Sequence, residues 1–375
     1  MLQVNRKRSS PDGEGVFLWK HWYFTLNCNY VIYLTQMDKK LTDIVNEYLS
    51  LGINQQLDYE KFYLYSIVTH STAIEGSTVT EIENQLLFDE GISSNKPITE
   101  QLMNLDLKKA YEQSFIYAKN HEKITVELLC NLSSISMKNT GSVYNTMAGS
   151  FSSAKGELRL LNVSAGRGGK TYLAWQKIPE KLKSFCDWLN REREKIDSKT
   201  DLQKIYELSF EVHYRLVSIH PWADGNGRMS RLLMNMLQYE FGVIPSIVKK
   251  ENRLEYIQSL AQSQETDNSK EFLDFMLEHH IENLKKQVEE YKSSIEAEDL
   301  KGGQKTGSSG QKKWSETTLK ILELIKQNPK ISRKELCDEL KINPSAIQKH
   351  IEKLKTANVI ERIGGAKGGE WRIIE

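Results

Sequence analysis

The sequence has few cysteines, no excess of charge of either sign and no long apolar run. The four cysteines are far apart and form no Cys-x-x-Cys pair, so neither a disulfide framework nor a cysteine zinc site is expected. The 51 basic and 50 acidic residues give a net charge of +1, which provides no global attraction to nucleic acid or membrane. Because eighteen consecutive apolar residues occur nowhere, no membrane span is predicted.

The N-terminus also lacks the pattern of a secretory signal. Basic residues at 6–8 are followed by the polar segment 9–14 instead of an apolar core. Together with the unpaired cysteines, this predicts a cytoplasmic protein. The 375 residues, 39% hydrophobic and 27% charged, are typical of a globular chain with room for roughly two to three domains.

The most informative stretch is the twelve-residue segment 220–231, His-Pro-Trp-Ala-Asp-Gly-Asn-Gly-Arg-Met-Ser-Arg. Helix formers precede it from Leu202, and Pro221 cannot continue that helix. Gly225 and Gly227 permit positive φ in a tight turn that feeds a second helix. Free backbone N–H groups at such a helix start favour the binding of an anion.

Two arginines extend this anion site. Arg228 and Arg231 are three residues apart and Asn235 follows four later, so the three share one helix face. Guanidinium groups bind phosphate oxygens in bidentate fashion. With His220 and Asp224 nearby, the segment predicts a polyphosphate site that has a base and a metal-capable carboxylate at its rim.

Segment 220–231 resembles, position for position, the signature of the Fic (filamentation-induced-by-cAMP) family, and Trp222 in place of phenylalanine is its only departure. The resemblance implies a mainly α fold, a Fic helical bundle with a β-hairpin flap. It also implies transfer of AMP from ATP to a Ser, Thr or Tyr hydroxyl of a target protein, with release of pyrophosphate.

The resemblance assigns a role to each residue of the segment. His220 would be the general base, and a pKa near the usual value of about 6.5 suits that role at neutral pH. Asp224 would hold Mg²⁺ or Mn²⁺. The residues that would bind the phosphates, as anion hole and guanidinium grip, are Gly225, Asn226, Gly227, Arg228 and Arg231.

A second motif lies on a helix predicted at about 60–76. Ser71-x-x-x-Glu75-Gly76 resembles the inhibitory motif of Fic proteins whose inhibitory helix precedes the core. Ser71 and Glu75 are four residues apart and therefore share a helix face. In the family this glutamate pairs with the second arginine of the signature, here Arg231, and keeps the γ-phosphate of ATP from seating. An autoinhibited enzyme is therefore expected.

Between residues 147 and 179 the helical period is lost and glycine becomes frequent. Residues 156–164 are predicted to form a β-hairpin. The resemblance places the flap, which holds the target by main-chain pairing, at about 150–175, with Gly156 and Arg159 among its residues.

Segment 166–171, Gly-Arg-Gly-Gly-Lys-Thr, raises the alternative of a phosphate-binding P-loop. That motif needs a first glycine where Ser164 stands and a long helix after it, for which Pro179 leaves no room. A turn of the flap is therefore the favoured interpretation.

The helix that follows the signature offers two candidate adenine contacts. In some Fic proteins a tyrosine and an amide there contact the base, and Tyr256 and Gln264 are the nearest positions. Gln264 stands where an asparagine is often found, so a packing tyrosine and a surface glutamine are the alternative interpretation.

The C-terminal part begins with residues 293–313, which lack an apolar period and are predicted to be a flexible linker. Residues 314–375 are predicted to form three helices and a hairpin, and a capping box, Ser332 to Glu335, opens the second helix. This order resembles a winged helix-turn-helix domain.

Two partners remain open for the winged helix, DNA and protein. Its fourteen basic and nine acidic residues over 311–375 give a net charge of +5, which is favourable but modest for phosphate contacts. The third helix is predicted to expose Ser345, Gln348, Lys349, Glu352 and Lys353.

The predicted organisation has an N-terminal helical region at 1–110, a Fic core at 111–292, the linker, and the winged helix. Three functions are open. The first is AMP transfer; the second is AMP removal with Glu75 activating water, or transfer of another nucleotide. The third is a DNA-binding transcriptional regulator that uses the core as a nucleotide sensor. An intact His220 favours an enzyme, while the target, which can be the protein itself, and homodimer formation stay undetermined.

Overall fold

The computed structural model describes residues 37–56, 59–165, 171–197, 199–301, 316–340, 342, 344–356, 359–363 and 369–374. Predictions for residues 1–36, 166–170, 302–315 and 364–368 lie outside the described residues. The described chain is mainly helical with two short two-stranded sheets, which confirms the predicted fold class. No helix in these ranges is both long and apolar enough to cross a bilayer.

The first half of the chain contributes α1 (described over 37–50), α2 (Tyr59–Ile74), α3 (Glu81–Glu90), α4 (Ile98–Lys119), α5 (Val126–Ser136), β1 (Val143–Thr146) and β2 (Gly149–Ser152). Then follow α6 (Ile178–Arg193), α7 (Leu202–Ile219), α8 (Asn226–Glu240), α9 (Arg253–Thr266) and α10 (Lys270–Lys301). The C-terminal elements are α11 (Glu316–Gln327), α12 (Arg333–Leu340), α13 (Pro344–Thr356), β3 (Ile360–Ile363) and β4 (Glu370–Ile373).

Helix α8 is the centre of the bundle. It packs on α7 and α4, and α2 also reaches it. Leu233 joins an apolar cluster shared with α2, α4, α5 and α6, whereas Met234 joins a second cluster built from α1, α7, α9 and α10. Both side chains have no exposed surface. A helix enclosed from both sides holds its first turn in place, and that turn carries the phosphate-binding residues predicted from the sequence.

The β-hairpin predicted at 156–164 is wrong in position. The observed antiparallel pair, β1 with β2, lies upstream and joins Val143 to Ser152 and Thr146 to Gly149. Residues 156–163 form no strand, and beyond them an isolated bridge joins Ser164 to Thr171. The physical reason is that part of this backbone bonds to a buried arginine side chain and to the signature loop instead of a partner strand.

Helix α10 extends through residues 293–301, the first part of the segment predicted as a linker. This stretch, Ser-Ser-Ile-Glu-Ala-Glu-Asp-Leu-Lys, contains several strong helix formers. The absence of an apolar period, on which the linker prediction rested, therefore does not prevent it from being helical.

The C-terminal elements form a unit with a core of its own, in which Ile325, Leu336 and Trp371 are buried. The predicted capping box is present. Glu335 N donates to Ser332 Oγ at 3.2 Å, and Ser332 N donates to Glu335 Oε2 at 2.7 Å. Strands β3 and β4 pair antiparallel after the three helices. The predicted three helices and hairpin are confirmed.

Candidate active site

The signature segment forms a sharp corner between α7 and α8. His220 caps the C-terminus of α7 with φ 54° and ψ 60°, and Gly225 caps the N-terminus of α8 with φ 80°. A Cβ at Gly225 would lie 2.8 Å from the sulfur of Met137, so both conformation and space favour glycine there. The tight turn predicted from the sequence is present.

Asn226 closes this loop. Its Oδ1 accepts a hydrogen bond from Trp222 N at 3.1 Å, and its Nδ2 donates to Trp222 O at 2.9 Å. The Trp222 ring has no exposed surface and its Nε1 donates to Gly156 O at 3.0 Å. The Asn226 side chain thus holds the loop together. The donors best placed for an anion are the backbone N–H groups in the first turn of α8.

Arg228, in that first turn, has a buried guanidinium group with free donors. The residue is 3% exposed, and within the described residues neither Nε nor Nη1 has a hydrogen-bond partner. Its Nη2 is 3.6 Å from Asp224 Oδ1. An unsatisfied buried donor costs about 1–3 kcal/mol. The arrangement therefore fits a site that an anionic ligand completes.

Arg231, one turn further along α8, is paired with α2. Its Nη2 donates to Glu75 Oε1 at 2.6 Å and to Ser71 O at 3.0 Å. Its Nε donates to Ser71 Oγ at 2.8 Å, and its Nη1 donates to Tyr256 Oη at 3.2 Å. The fold thus brings together the two predicted motifs, whose contacting residues are 156 and 160 positions apart in the sequence.

The Glu75 carboxylate also lies against the loop of the signature. A Cβ built at Gly227 would be 2.5 Å from Glu75 Oε1, so only a glycine leaves room for this contact. Burial acts to raise the pKa of the Glu75 carboxyl, but Arg231, with help from Arg228 and Arg253, outweighs it and the pKa is lower than usual. Glu75 is therefore a carboxylate anion beside donors suited to phosphate.

Helix α2 is held by a buried polar network that sequence reasoning missed. Thr72 Oγ1 donates to Asn104 Oδ1 at 2.7 Å, and Asn84 Nδ2 donates to the same oxygen at 2.8 Å. Asn104 Nδ2 donates to Ser77 Oγ at 3.1 Å. Thr72, Asn84 and Asn104 have no exposed surface. Isolated polar residues on helices usually face solvent, so only the packing of α3 and α4 against α2 reveals this network.

His220 is partly buried and is hydrogen-bonded through one ring nitrogen. Its Nδ1 lies 3.3 Å from Val217 O, which suits the tautomer with a proton on Nδ1 and a lone pair on Nε2. The predicted pKa near 6.5 is wrong, because burial lowers the pKa of His220 to about 4. The imidazole is consequently neutral, and able to accept a proton, throughout the neutral pH range.

The two residues assigned to the flap lie beneath the signature loop. Gly156 has φ 68°, and a Cβ there would come within 2.0 Å of Cys130 O, so no other residue fits. The Arg159 guanidinium is buried, and Arg159 N donates to Pro221 O at 3.0 Å. Both residues thus connect the segment after β2 to the corner that carries His220.

A cavity of 640 Å³ opens beside this corner, and its lining includes Tyr172, Leu173, Ser218 and Gln264. Gln264 Nε2 donates to Ser218 Oγ at 3.2 Å. Tyr256, the other candidate adenine contact, is 1% exposed and bonds to Arg231 instead. Of the two candidates, Gln264 lies on the cavity wall and Tyr256 is enclosed beside it.

Asp224 is the carboxylate best placed to hold a metal ion. Its side chain is 55% exposed, and Oδ1 accepts a hydrogen bond from Gly225 N at 2.6 Å. In the described part of the chain, no group of three or more His, Cys, Asp or Glu could enclose a metal. One exposed carboxylate fits Mg²⁺ or Mn²⁺ that takes its other ligands from phosphate and water.

Comparison with known proteins identifies two family matches in this chain. Residues 123–238 match the model of the Fic/DOC family, and residues 315–361 match that of winged helix-turn-helix DNA-binding domains. The protein adenylyltransferase fic-1 of Caenorhabditis briggsae is 26% identical over 265 residues, covering 69% of this chain and 48% of the relative. Its Caenorhabditis elegans counterpart is 28% identical over 238 residues, covering 63% and 43%. The chain spans less than half the length of these relatives.

Solved structures show the same fold. A Fic-domain-containing signaling protein from Bacteroides thetaiotaomicron superposes with a TM-score of 0.55 at 20% identity, covering 68% of this chain and 98% of that one. Fic-1 of Caenorhabditis elegans also gives 0.55, at 22% identity and with coverage of 76% and 79%. Residues 123–238 thus form a Fic domain, and a winged helix-turn-helix domain at residues 315–361 follows it.

Proposed function

We propose that this protein is an adenylyltransferase that transfers AMP from ATP to a Ser, Thr or Tyr hydroxyl of a target protein, and that Glu75 inhibits it. The observation that carries the proposal is the 2.6 Å contact of Glu75 Oε1 with Arg231 Nη2, beside a turn where two buried donors of Arg228 have no partner among the described residues. The curated relatives, which are named protein adenylyltransferases, support the reaction.

The residues of the corner can carry out each part of this transfer. Nε2 of neutral His220 accepts the proton of the target hydroxyl, whose oxygen attacks the α-phosphorus of ATP. The bond from that phosphorus to the bridging oxygen breaks, and pyrophosphate leaves. Backbone N–H groups at the start of α8 stabilise the charge on the α-phosphate, a contribution of about 3 kcal/mol per donor in comparable sites. Asp224 would hold Mg²⁺, which would neutralise part of the charge on the phosphates.

Inhibition follows from competition for the same donors. Arg231 already uses its Nη2 for Glu75 and Ser71, so a γ-phosphate would have to displace a carboxylate in a buried ion pair. The same carboxylate lies against Gly227, where the phosphates of ATP would pass. The negative charges of the Glu75 carboxylate and of the phosphates would repel each other there. ATP can therefore seat productively only when Glu75 moves away.

The test compares Glu75→Gly and Glu75→Gln with the parent in transfer of labelled AMP to protein targets in a lysate. Glycine removes both charge and volume, whereas glutamine removes only the charge. We expect AMP transfer to be fastest in Glu75→Gly, slower in Glu75→Gln and slowest in the parent, with at least about tenfold between the extremes, which corresponds to about 1.4 kcal/mol. Glu112→Gln, an exposed carboxylate of α4, serves as control. Equal transfer by all four proteins would contradict autoinhibition by Glu75.

DNA binding by the winged helix is a second candidate function, favoured by the match to winged helix-turn-helix DNA-binding domains. Lys349 and Lys353 are exposed on α13, as predicted. The prediction that Gln348 is exposed is wrong, because this residue is only 5% exposed and accepts a hydrogen bond from Arg333 Nη1 at 2.6 Å. Glu352 is half-buried and accepts from Gln348 Nε2 at 2.8 Å. The lysines thus remain as candidate phosphate contacts.

A further inference from the structure

The segment that precedes α6 places an aromatic ring on His220, and no step described above uses it. The ring of Tyr172 stacks on the imidazole with centroids 3.9 Å apart and 16° between the planes. At this distance the tyrosine covers one face of the imidazole. The Val217 carbonyl holds the Nδ1 edge of the same ring at 3.3 Å. His220 is thus fixed on a face by one element and on an edge by another.

Arg159 fixes the backbone that carries Tyr172. This side chain is 1% exposed and donates to three carbonyl oxygens. Nη1 reaches Leu161 O at 2.6 Å and Nη2 reaches Leu173 O at 2.6 Å, so it joins the two arms of the segment. Nε reaches His220 O at 2.7 Å. One guanidinium therefore ties both arms, and the residue next to Tyr172, to the main chain of the histidine.

These three bonds need the shape of arginine. The guanidinium is a planar fork with donors in several directions, whereas a lysine ammonium cannot span carbonyls on three separate segments. Burying a charge without a carboxylate partner is costly unless its donors are all bonded. The partners of Arg159 are main-chain oxygens, and one of them belongs to His220 itself. The hydrogen bonds of Arg159 therefore fix the position of the segment that carries Tyr172 relative to His220.

We propose that Tyr172, anchored through Arg159, is a positioning residue that holds the His220 imidazole in place and shields it from water. The proposal rests on the proposed role of His220 as general base. In this proposal the aromatic ring of Tyr172 positions the imidazole, and its hydroxyl has no part in doing so. Tyr172→Phe should therefore retain the positioning role, whereas substitution by a small side chain should abolish it.

Loss of the ring has a predictable effect on protonation. Burial is the largest influence on the pKa of His220, which is about 4; Arg159 also lowers it, whereas the Val217 hydrogen bond, Glu75 and Asp224 raise it. Water admitted in place of the ring weakens the effect of burial, so the pKa moves up toward about 6.5. Since a general base must be neutral, the acid limb of the rate profile moves to higher pH.

The experiment compares Tyr172→Ala with Tyr172→Phe in full-length protein that also carries Glu75→Gly. We expect the alanine variant to bind ATP as the parent does and to lose about tenfold or more in kcat at pH 6, with partial recovery at pH 8. The phenylalanine variant should stay within about twofold of the parent, with an unshifted acid limb. Arg159→Lys, which loosens the anchor without removing the ring, should shift the limb in the same direction as alanine.

The pKa of His220 is also measured directly, by titrating the histidine ring signals of the full-length protein and assigning them with His220→Ala. A higher pKa for Tyr172→Ala and an unchanged one for Tyr172→Phe support the proposal even if no AMP is transferred, a result that would reject the proposed function alone. Equal pKa values in all three proteins overturn the positioning role. Equal loss of activity in both variants at every pH also overturns it, because the hydroxyl would then be the essential part.

Discussion

At the scale of single residues, Arg228 and Arg231 of α8 are equally buried but have different surroundings. Arg228 and Arg231 are each 3% exposed. Two guanidinium nitrogens of Arg228 have no partner within the described residues, whereas Arg231 bonds to Glu75, Ser71 and Tyr256. One arginine therefore fits a ligand that has still to bind, and the other already has an internal anion. The proposed switch consists of the exchange of that anion for a phosphate.

Removal of the imidazole tests the chemistry at this scale. We expect His220→Ala, made in the Glu75→Gly protein, to reduce AMP transfer by about 10²–10⁴-fold, the usual contribution of a positioned base. ATP binding, followed by calorimetry, should persist because the phosphate donors belong to α8. His121→Ala is the control, since that side chain is 70% exposed and lies on another helix boundary. Retained transfer would remove His220 from the role of base.

At the scale of secondary-structure elements, the position of α2 decides whether Glu75 reaches Arg231. Arg253 Nε donates to Ile74 O at 2.7 Å and so fixes the C-terminus of α2. Further along, Thr72 bonds to the buried amide of Asn104 on α4. Interactions outside the ion pair thus hold the helix in its place. Weakening them should release Glu75 without altering any residue that would touch ATP.

Asn104→Ala tests this connection. It removes the buried amide to which Thr72 and Asn84 bond, and the loss of these hydrogen bonds should lower the free energy of unfolding by about 1–3 kcal/mol. AMP transfer should rise at the same time, because α2 is less firmly held. Thermal unfolding and transfer of labelled AMP are measured on the same samples. Lys109→Ala, an exposed change on the same helix, is the control. A destabilised protein with unchanged transfer would show that the network does not restrain Glu75.

At the scale of the whole molecule, an arginine of the winged helix-turn-helix domain forms ion pairs with α3. Arg333 Nη1 is 3.7 Å from Asp89 Oδ2, and its Nε is 3.5 Å from Glu90 Oε1. Asp89 in turn accepts a hydrogen bond from Tyr65 of α2 at 2.6 Å. Arg333 also bonds to Gln348 on α13. Acidic residues at the end of α3 thus pair with an arginine next to the helix proposed to meet DNA.

Glu90→Gln tests DNA binding at this scale. Without this carboxylate, Arg333 loses a competitor for phosphate, so affinity for duplex DNA should rise several-fold, and log affinity should fall more steeply with log salt. Fluorescence anisotropy at two salt concentrations measures both. Glu112→Gln makes the same change in net charge away from Arg333. If neither the parent nor Glu90→Gln binds duplex DNA above non-specific levels, DNA binding by the winged helix is rejected.

The sequence by itself determined the local features of this protein. Pro221 ends α7, Gly225 permits the turn into α8, and the capping box at Ser332 opens α12, because each effect acts over a few residues of backbone. The resemblance of the signature segment led to the Fic fold for the same reason, since its residues and spacing are contiguous.

The tertiary structure decided which side chains are buried and what they meet. Tyr172 lies on His220, Asn104 bonds to α2, and Gln348 is covered by Arg333, although all three residues are polar in sequence. The low pKa of His220 has the same origin, because burial depends on elements far away in the chain. Backbone preferences are local, whereas desolvation and partners arise only when remote helices pack together. The predicted pairing of Glu75 with Arg231 came from family resemblance, and the packing of α2 on α8 accounts for it physically.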